Sequence, residues 1–155
     1  MSLKSEIEKL YECRLLETQE DCEEFDAALE SISATDFNER DIINDLFRIF
    51  DDETEDEEVM FGLLHLIEEF EMNVYLLGVA NALPYLMDNA KEWAIIINKR
   101  ILNSDIYRTE YTKVLLEKDE DIKLIVNNIL LEIKNDNPDR FEKKSNEILS
   151  KLEGN

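Results

Sequence analysis

The chain has 155 residues, with 38 Asp/Glu against 17 Lys/Arg for a formal charge of −21, and only three Gly, two Pro, two Cys and one His. That length suits a single domain over 1–155 with a real core, and charge of this sign repels nucleic acid and anionic membrane while drawing basic partners over a salt-dependent range. Two Cys and one His exclude zinc on ligand count, and no glycine-rich loop is present to cradle a phosphate.

Few helix breakers and abundant Glu, Leu, Ile and Lys point to helices joined by short turns. No alternating Val/Thr/Tyr-rich run marks a strand. The N-terminal residues open a charged amphipathic segment without a signal-peptide core. Spacing predicts a first helix over 5–16, with Ile7, Leu10, Tyr11 and Leu15 facing inward. Cys13 and Cys22 would be separated by roughly 13 Å along one continuous helix, too far for a disulfide. A helix break near Thr18 would change that distance, but two free thiols in a reducing cytoplasm is the plainer reading. Thr18 with Asp21 marks a second start, after which Cys22, Phe25, Leu29 and Ile32 recur at helical spacing. Asn38 precedes a third helix carrying Ile42, Ile43, Leu46 and Phe47, with Ile49 and Phe50 beyond.

Residues 51–58 are acidic except for Thr54, and the residues after them are almost entirely apolar. Thr54 and Glu57 have capping-box spacing, which predicts a helix start there with carboxylates near the positive end of its dipole. Val59, Leu63, Leu66 and Phe70 form one stripe that Met60, Leu64 and Ile67 widen, as in a central core helix. His65 lies on this helix and reads as a core or interface histidine without catalytic work. Asp51, Glu53 and Glu55 alternate as in a calcium loop. The sixth position there is Asp56 rather than Gly, and the twelfth is Gly62 rather than Glu.

Asn73 is placed to cap a helix over 74–83, with Pro84 forcing a kink or a new start. The uncharged run 72–87 is too short for a membrane span. Asn89 and Glu92 form a second capping-box pair before Trp93, Ile97 and Ile101, a stripe that includes Arg100 and predicts a partly buried ion pair for it. Ser104 or Asp105 starts a helix through Tyr107, Tyr111, Val114 and Leu115, and Asp119 leads into Ile122, Val126, Ile129 and Ile133. Asn137-Pro138 opens the last helix, carrying Phe141, Ile148, Leu149 and Leu152 and stopping near Gly154. Gly62 and Gly78 each cost about 1 kcal/mol inside a helix unless two backbones approach closely, which predicts that their helices pack together.

The expected fold is therefore all-α: eight or nine short antiparallel helices in an α-solenoid of HEAT-like character or an irregular bundle. Nucleophilic catalysis needs an oriented base, and His65 is the only imidazole. No cofactor is expected, and the chain does not read as an enzyme. Charge divides unevenly: residues 1–58 carry 21 Asp/Glu against 5 Lys/Arg, and residues 59–155 carry 17 against 12. Asp51, Asp52, Glu53, Glu55, Asp56, Glu57 and Glu58 are accordingly the candidate contact residues for a basic protein partner.

Two stretches, residues 51–68 (DDETEDEEVMFGLLHLIE) and 93–104 (WAIIINKRILNS), resemble the Immunity protein 30 family of bacterial polymorphic toxin systems. The similarity covers roughly residues 25–116. It implies an all-helical protein, encoded beside a secreted toxin, that protects the producing cell by binding the cognate toxin domain. The second reading is a helical-repeat adaptor for some other basic protein.

Overall fold

The computed structural model describes residues 2–153, which form nine α-helices and no strand. They are α1 (Leu3–Glu12), α2 (Gln19–Ser33), α3 (Glu39–Phe47), α4 (Glu57–Glu68), α5 (Met72–Asn89), α6 (Lys91–Leu102), α7 (Asp105–Leu116), α8 (Glu120–Asp136) and α9 (Pro138–Glu153). The expected stop near Gly154 lies outside the described residues.

Local chemistry explains most of the boundaries. Ser2, Thr18, Asn38, Ser104 and Asp119 each accept a backbone N–H of the helix that follows, so an orphan donor is satisfied at each start. Asn137 accepts from the Arg140 N–H at 3.4 Å ahead of Pro138, whose missing N–H would be unpaired there in any case.

Several starts differ from the sequence expectation: α1 begins at Leu3 rather than at residue 5, and α5 begins at Met72, so Asn73 lies inside it rather than capping it. The cap of α4 is Asp56, whose carboxylate accepts the Val59 N–H at 3.2 Å. Thr54 is instead buried, its hydroxyl donating to the Arg14 carbonyl at 2.7 Å. Asn89 ends α5 rather than capping α6: its amide donates to the Tyr85 carbonyl at 3.1 Å, and α6 begins after Ala90 with no side-chain cap. Finally, α5 runs unbroken through Pro84. A proline inside a helix costs about 3 kcal/mol or more. Here its ring sits on the exposed face, and burial of Val79, Ala80, Leu83 and Leu86 offsets the lost hydrogen bond.

The chain divides into two compact units, Met1–Tyr75 and Leu76–Asn155. In the first, α1 packs on α2, and α4 packs on both α2 and α3. Its core holds Leu10, Phe25, Ile32, Leu46, Phe47, Phe50, Met60, Leu63, Leu64 and Ile67, each fully buried. Phe47 anchors one side, with ring centroids 6.0 Å from Phe50 and 6.4 Å from Tyr75. The neighbour for which Gly62 leaves room is Leu29 of α2: a Cβ at position 62 would lie 3.0 Å from its Cδ1.

In the second unit each of α6, α7, α8 and α9 packs on the other three, the pattern of a bundle. Trp93, Ile97, Ile101, Tyr111, Val126, Ile129, Leu130 and Ile148 form its core. A polar pair lies inside it: the Tyr111 hydroxyl donates to Asn98 Oδ1 at 2.8 Å, and Asn98 Nδ2 donates to the Ala94 carbonyl at 2.8 Å.

Candidate partner-binding surface

The acidic turn between α3 and α4 is held by the turn that ends α1. Leu16 adopts φ 48° while almost fully buried, a left-handed conformation that costs a leucine roughly 1–2 kcal/mol. Two hydrogen bonds offset that cost: the Arg14 carbonyl accepts the Thr54 hydroxyl, and the Leu15 carbonyl accepts the Glu55 N–H at 2.9 Å. The Arg14 guanidinium lies 4.1 Å from the centre of the Tyr11 ring and donates to Asp51 Oδ2 at 3.4 Å. Asp51 Oδ1 in turn accepts the Glu53 N–H at 2.8 Å, closing an Asx turn.

The seven candidate carboxylates therefore separate into two groups. Asp51 and Asp56 are half-buried and build the turn and the helix cap. Asp52, Glu53, Glu55, Glu57 and Glu58 are exposed. Among the described residues, no ion pair engages Glu53, Glu55, Glu57 or Glu58.

Apart from Arg14, the charged groups around the turn are acidic. Asp56 Oδ2 accepts from the Cys22 thiol at 3.8 Å. Burial, and then the charges of Asp56 and Glu30, raise the Asp26 carboxyl above its ordinary range. The Cys22 thiol is raised by burial and then by Asp56, with Asp26 and Asp21 adding to it. Cys13 is pushed up to about 11, first by burial and then by Glu24, whose carboxylate accepts its S–H at 3.4 Å. By composition the first unit holds 24 Asp/Glu against 5 Lys/Arg, a balance of −19, and the second holds 14 against 12, a balance of −2.

Both thiols are free. The thiolate is the reactive form, so at pH 8 iodoacetamide should alkylate both more slowly than a peptide cysteine, with Cys13 the slower because it is also buried. Peptide-mapping mass spectrometry over time reads this directly. A Cys13 that reacts at the peptide rate would contradict the acidic, buried setting described above.

Helix α4 turns Met60, Leu63, Leu64, Leu66 and Ile67 inward. Its outer stripe is Glu57, Glu58, Phe61, His65, Glu68 and Glu69. His65 is thus exposed rather than in the core, its ring 6.1 Å from that of half-buried Phe61.

In the second unit Trp93, Ile97 and Ile101 are buried as expected, but Arg100 is exposed. The buried arginine is Arg108, which the sequence does not single out. Its Nε donates to Glu147 at 2.6 Å, Nη2 to Asp105 at 2.6 Å, and Nη1 to the Leu102 carbonyl at 2.5 Å. Burial pulls this guanidinium's pKa down, and the two carboxylates more than offset that, leaving it raised. Arg108 ties α7 to α9 and to the end of α6, a structural role.

Among the described residues no group of three or more His, Cys, Asp or Glu is arranged to hold a metal ion. None of the helices is long and apolar enough to cross a membrane.

A short all-helical chain with its negative charge gathered in one unit, and with exposed carboxylates held on a pinned turn, has the features of an acidic binding protein. The chain belongs to the Immunity protein 30 family, whose sequence model matches residues 12–111. That span includes the α1–α2 turn, the acidic turn and the whole of α2 to α6. Membership indicates an immunity function directed against a toxin, exercised by binding the cognate toxin protein. No curated protein and no solved structure matches the chain.

Proposed function

We propose that the chain neutralises one cognate toxin domain by stoichiometric occlusion, in the cytoplasm of the producing cell, by docking the acidic surface of its first unit onto a basic face of the toxin. The observation that carries this reading is the set of exposed carboxylates Glu53, Glu55, Glu57 and Glu58, which no lysine or arginine of the chain pairs with among the described residues. Asp52 stands exposed beside them. Mutual repulsion of these groups destabilises the free protein, and cations supplied by a partner relieve it. Toxin domains that act on nucleic acid tend to be basic, and against such a domain opposite fields speed the encounter, while affinity comes from a few desolvated anchors. No turnover is involved.

The test is co-expression with the toxin domain encoded by the adjacent upstream gene. Growth should be restored, and the two proteins should elute as a complex of one copy each by light scattering. If growth is not restored and no complex forms, the chain is not the immunity protein of that toxin.

A further inference from the structure

The acidic turn is continuous in sequence with the outer stripe of α4, where Phe61 and His65 sit among Glu57, Glu58, Glu68 and Glu69. At 100° per residue these six positions fall within one face of the helix, opposite the buried side of Met60, Leu63, Leu64 and Ile67. The arrangement is two aromatic rings at the centre and carboxylates on both flanks, with no cation in the stripe. Glu57, Glu58 and Glu69 have no ion pair among the described residues. Interface energy concentrates in central aromatic contacts ringed by polar groups that exclude water, and this face has that layout.

We infer that the outer face of α4 is the anchor of the docking surface, and that its occupant is a basic protein surface bearing an arginine that stacks on the Phe61–His65 pair. This rests on the proposed toxin-binding function and names the contact that function uses. Charge complementarity selects the occupant, because the unit carrying the face has a balance of −19 by composition. Arginine fits better than lysine: its planar guanidinium lies flat on a ring while its edge donates to flanking carboxylates. The protein already builds that contact internally, with Arg14 over the Tyr11 ring and Asp51 at its edge. The anchor governs how long the complex lasts, and the neighbouring carboxylates govern how fast it forms.

The test uses the toxin domain encoded beside this chain, with association and dissociation rates measured by surface plasmon resonance for His65→Ala and Phe61→Leu. Both substitutions leave the carboxylates in place, and Phe61→Leu keeps an apolar side chain at a half-buried position. Each should raise the dissociation rate about tenfold while the association rate stays within about twofold. Thermal melts establish folding, and if Phe61→Leu does not fold, exposed His65 alone decides. Dissociation rates within twofold of wild type would overturn the inference. Slowed association on neutralising Glu53, Glu55, Glu57 and Glu58 would then show that the acidic docking surface itself still stands. No binding by the wild-type chain would instead remove the function on which this inference rests.

Discussion

Asn98→Leu should cost the protein about 2–3 kcal/mol, and adding Tyr111→Phe should recover most of that loss. Both side chains are fully buried, and the Tyr111 hydroxyl donates to Asn98 Oδ1 at 2.8 Å. Removing the amide strands that hydroxyl in an apolar core, where an unmet donor costs about 1–3 kcal/mol. Removing both partners leaves nothing polar to satisfy, so the two losses should not add. Urea titrations of the wild type, both single variants and the double variant read the coupling from their midpoints. Strict additivity would mean that the bond contributes nothing. The same site predicts a pH dependence. Burial raises the Tyr111 hydroxyl well above its ordinary range, with the Asn98 bond pulling weakly the other way. The folded state therefore keeps a proton that the unfolded chain gives up. The resulting stability is complete below the unfolded tyrosine value of about 10 and is lost as pH rises beyond it. Tyr111→Phe should remove that part of the alkaline slope.

The features legible in the sequence are those whose causes lie within a few residues. Thr18, Asn38, Ser104, Asp119 and Asn137-Pro138 mark helix starts because cap and recipient N–H are two or three positions apart. Buried stripes such as Trp93, Ile97 and Ile101 follow from period alone. What was hidden depends on distant partners. Thr54 leaves its expected cap role because the Arg14 carbonyl, 40 positions away, takes its hydroxyl. Arg108 is held by Glu147, 39 positions on, and nothing local to Arg108 announces that. Period also fixes which residues share a stripe without fixing where the stripe points. On α4, apolar over most of its circumference, that leaves His65 open between core and interface, and the same ambiguity puts Arg100 of α6 on a buried stripe although it is exposed. Pro84 opens no new helix: a breaker acts locally, while burial along α5 decides the outcome. The acidic run was visible as composition. Its division into structural and exposed carboxylates was not, because Asp51 is recruited by Arg14 from 37 positions away.

That division sets the sharpest expectation for the docking surface. Replacing Glu53, Glu55, Glu57 and Glu58 together with Gln should slow association with the cognate toxin domain at low salt by about thirtyfold, within the roughly 10–10³ range of electrostatic steering. It should also flatten the salt dependence, since charges beyond a Debye length of about 10 Å at 0.1 M are already screened. Stability should change little. Glu57 and Glu58 lose a favourable place in the first turn of α4, while mutual repulsion along the exposed turn falls. Asp51→Ala and Asp56→Ala should behave in the opposite way. Each removes one negative charge and a structural bond: Asp51 loses Arg14 and the Glu53 N–H, and Asp56 loses the Val59 N–H. A stability loss of about 1 kcal/mol each, with on-rates within about threefold of wild type, is expected. Stopped-flow association across a salt series, paired with urea titrations of the same variants, separates the two groups. An unchanged low-salt on-rate in the four-Gln variant would reduce the exposed carboxylates to a solvated helix start. A collapse of both rate and stability would mean instead that the whole turn acts as one structural piece. The partition between the two groups is thus measurable on separate axes, one kinetic and one thermodynamic, because different residues of the same run carry each.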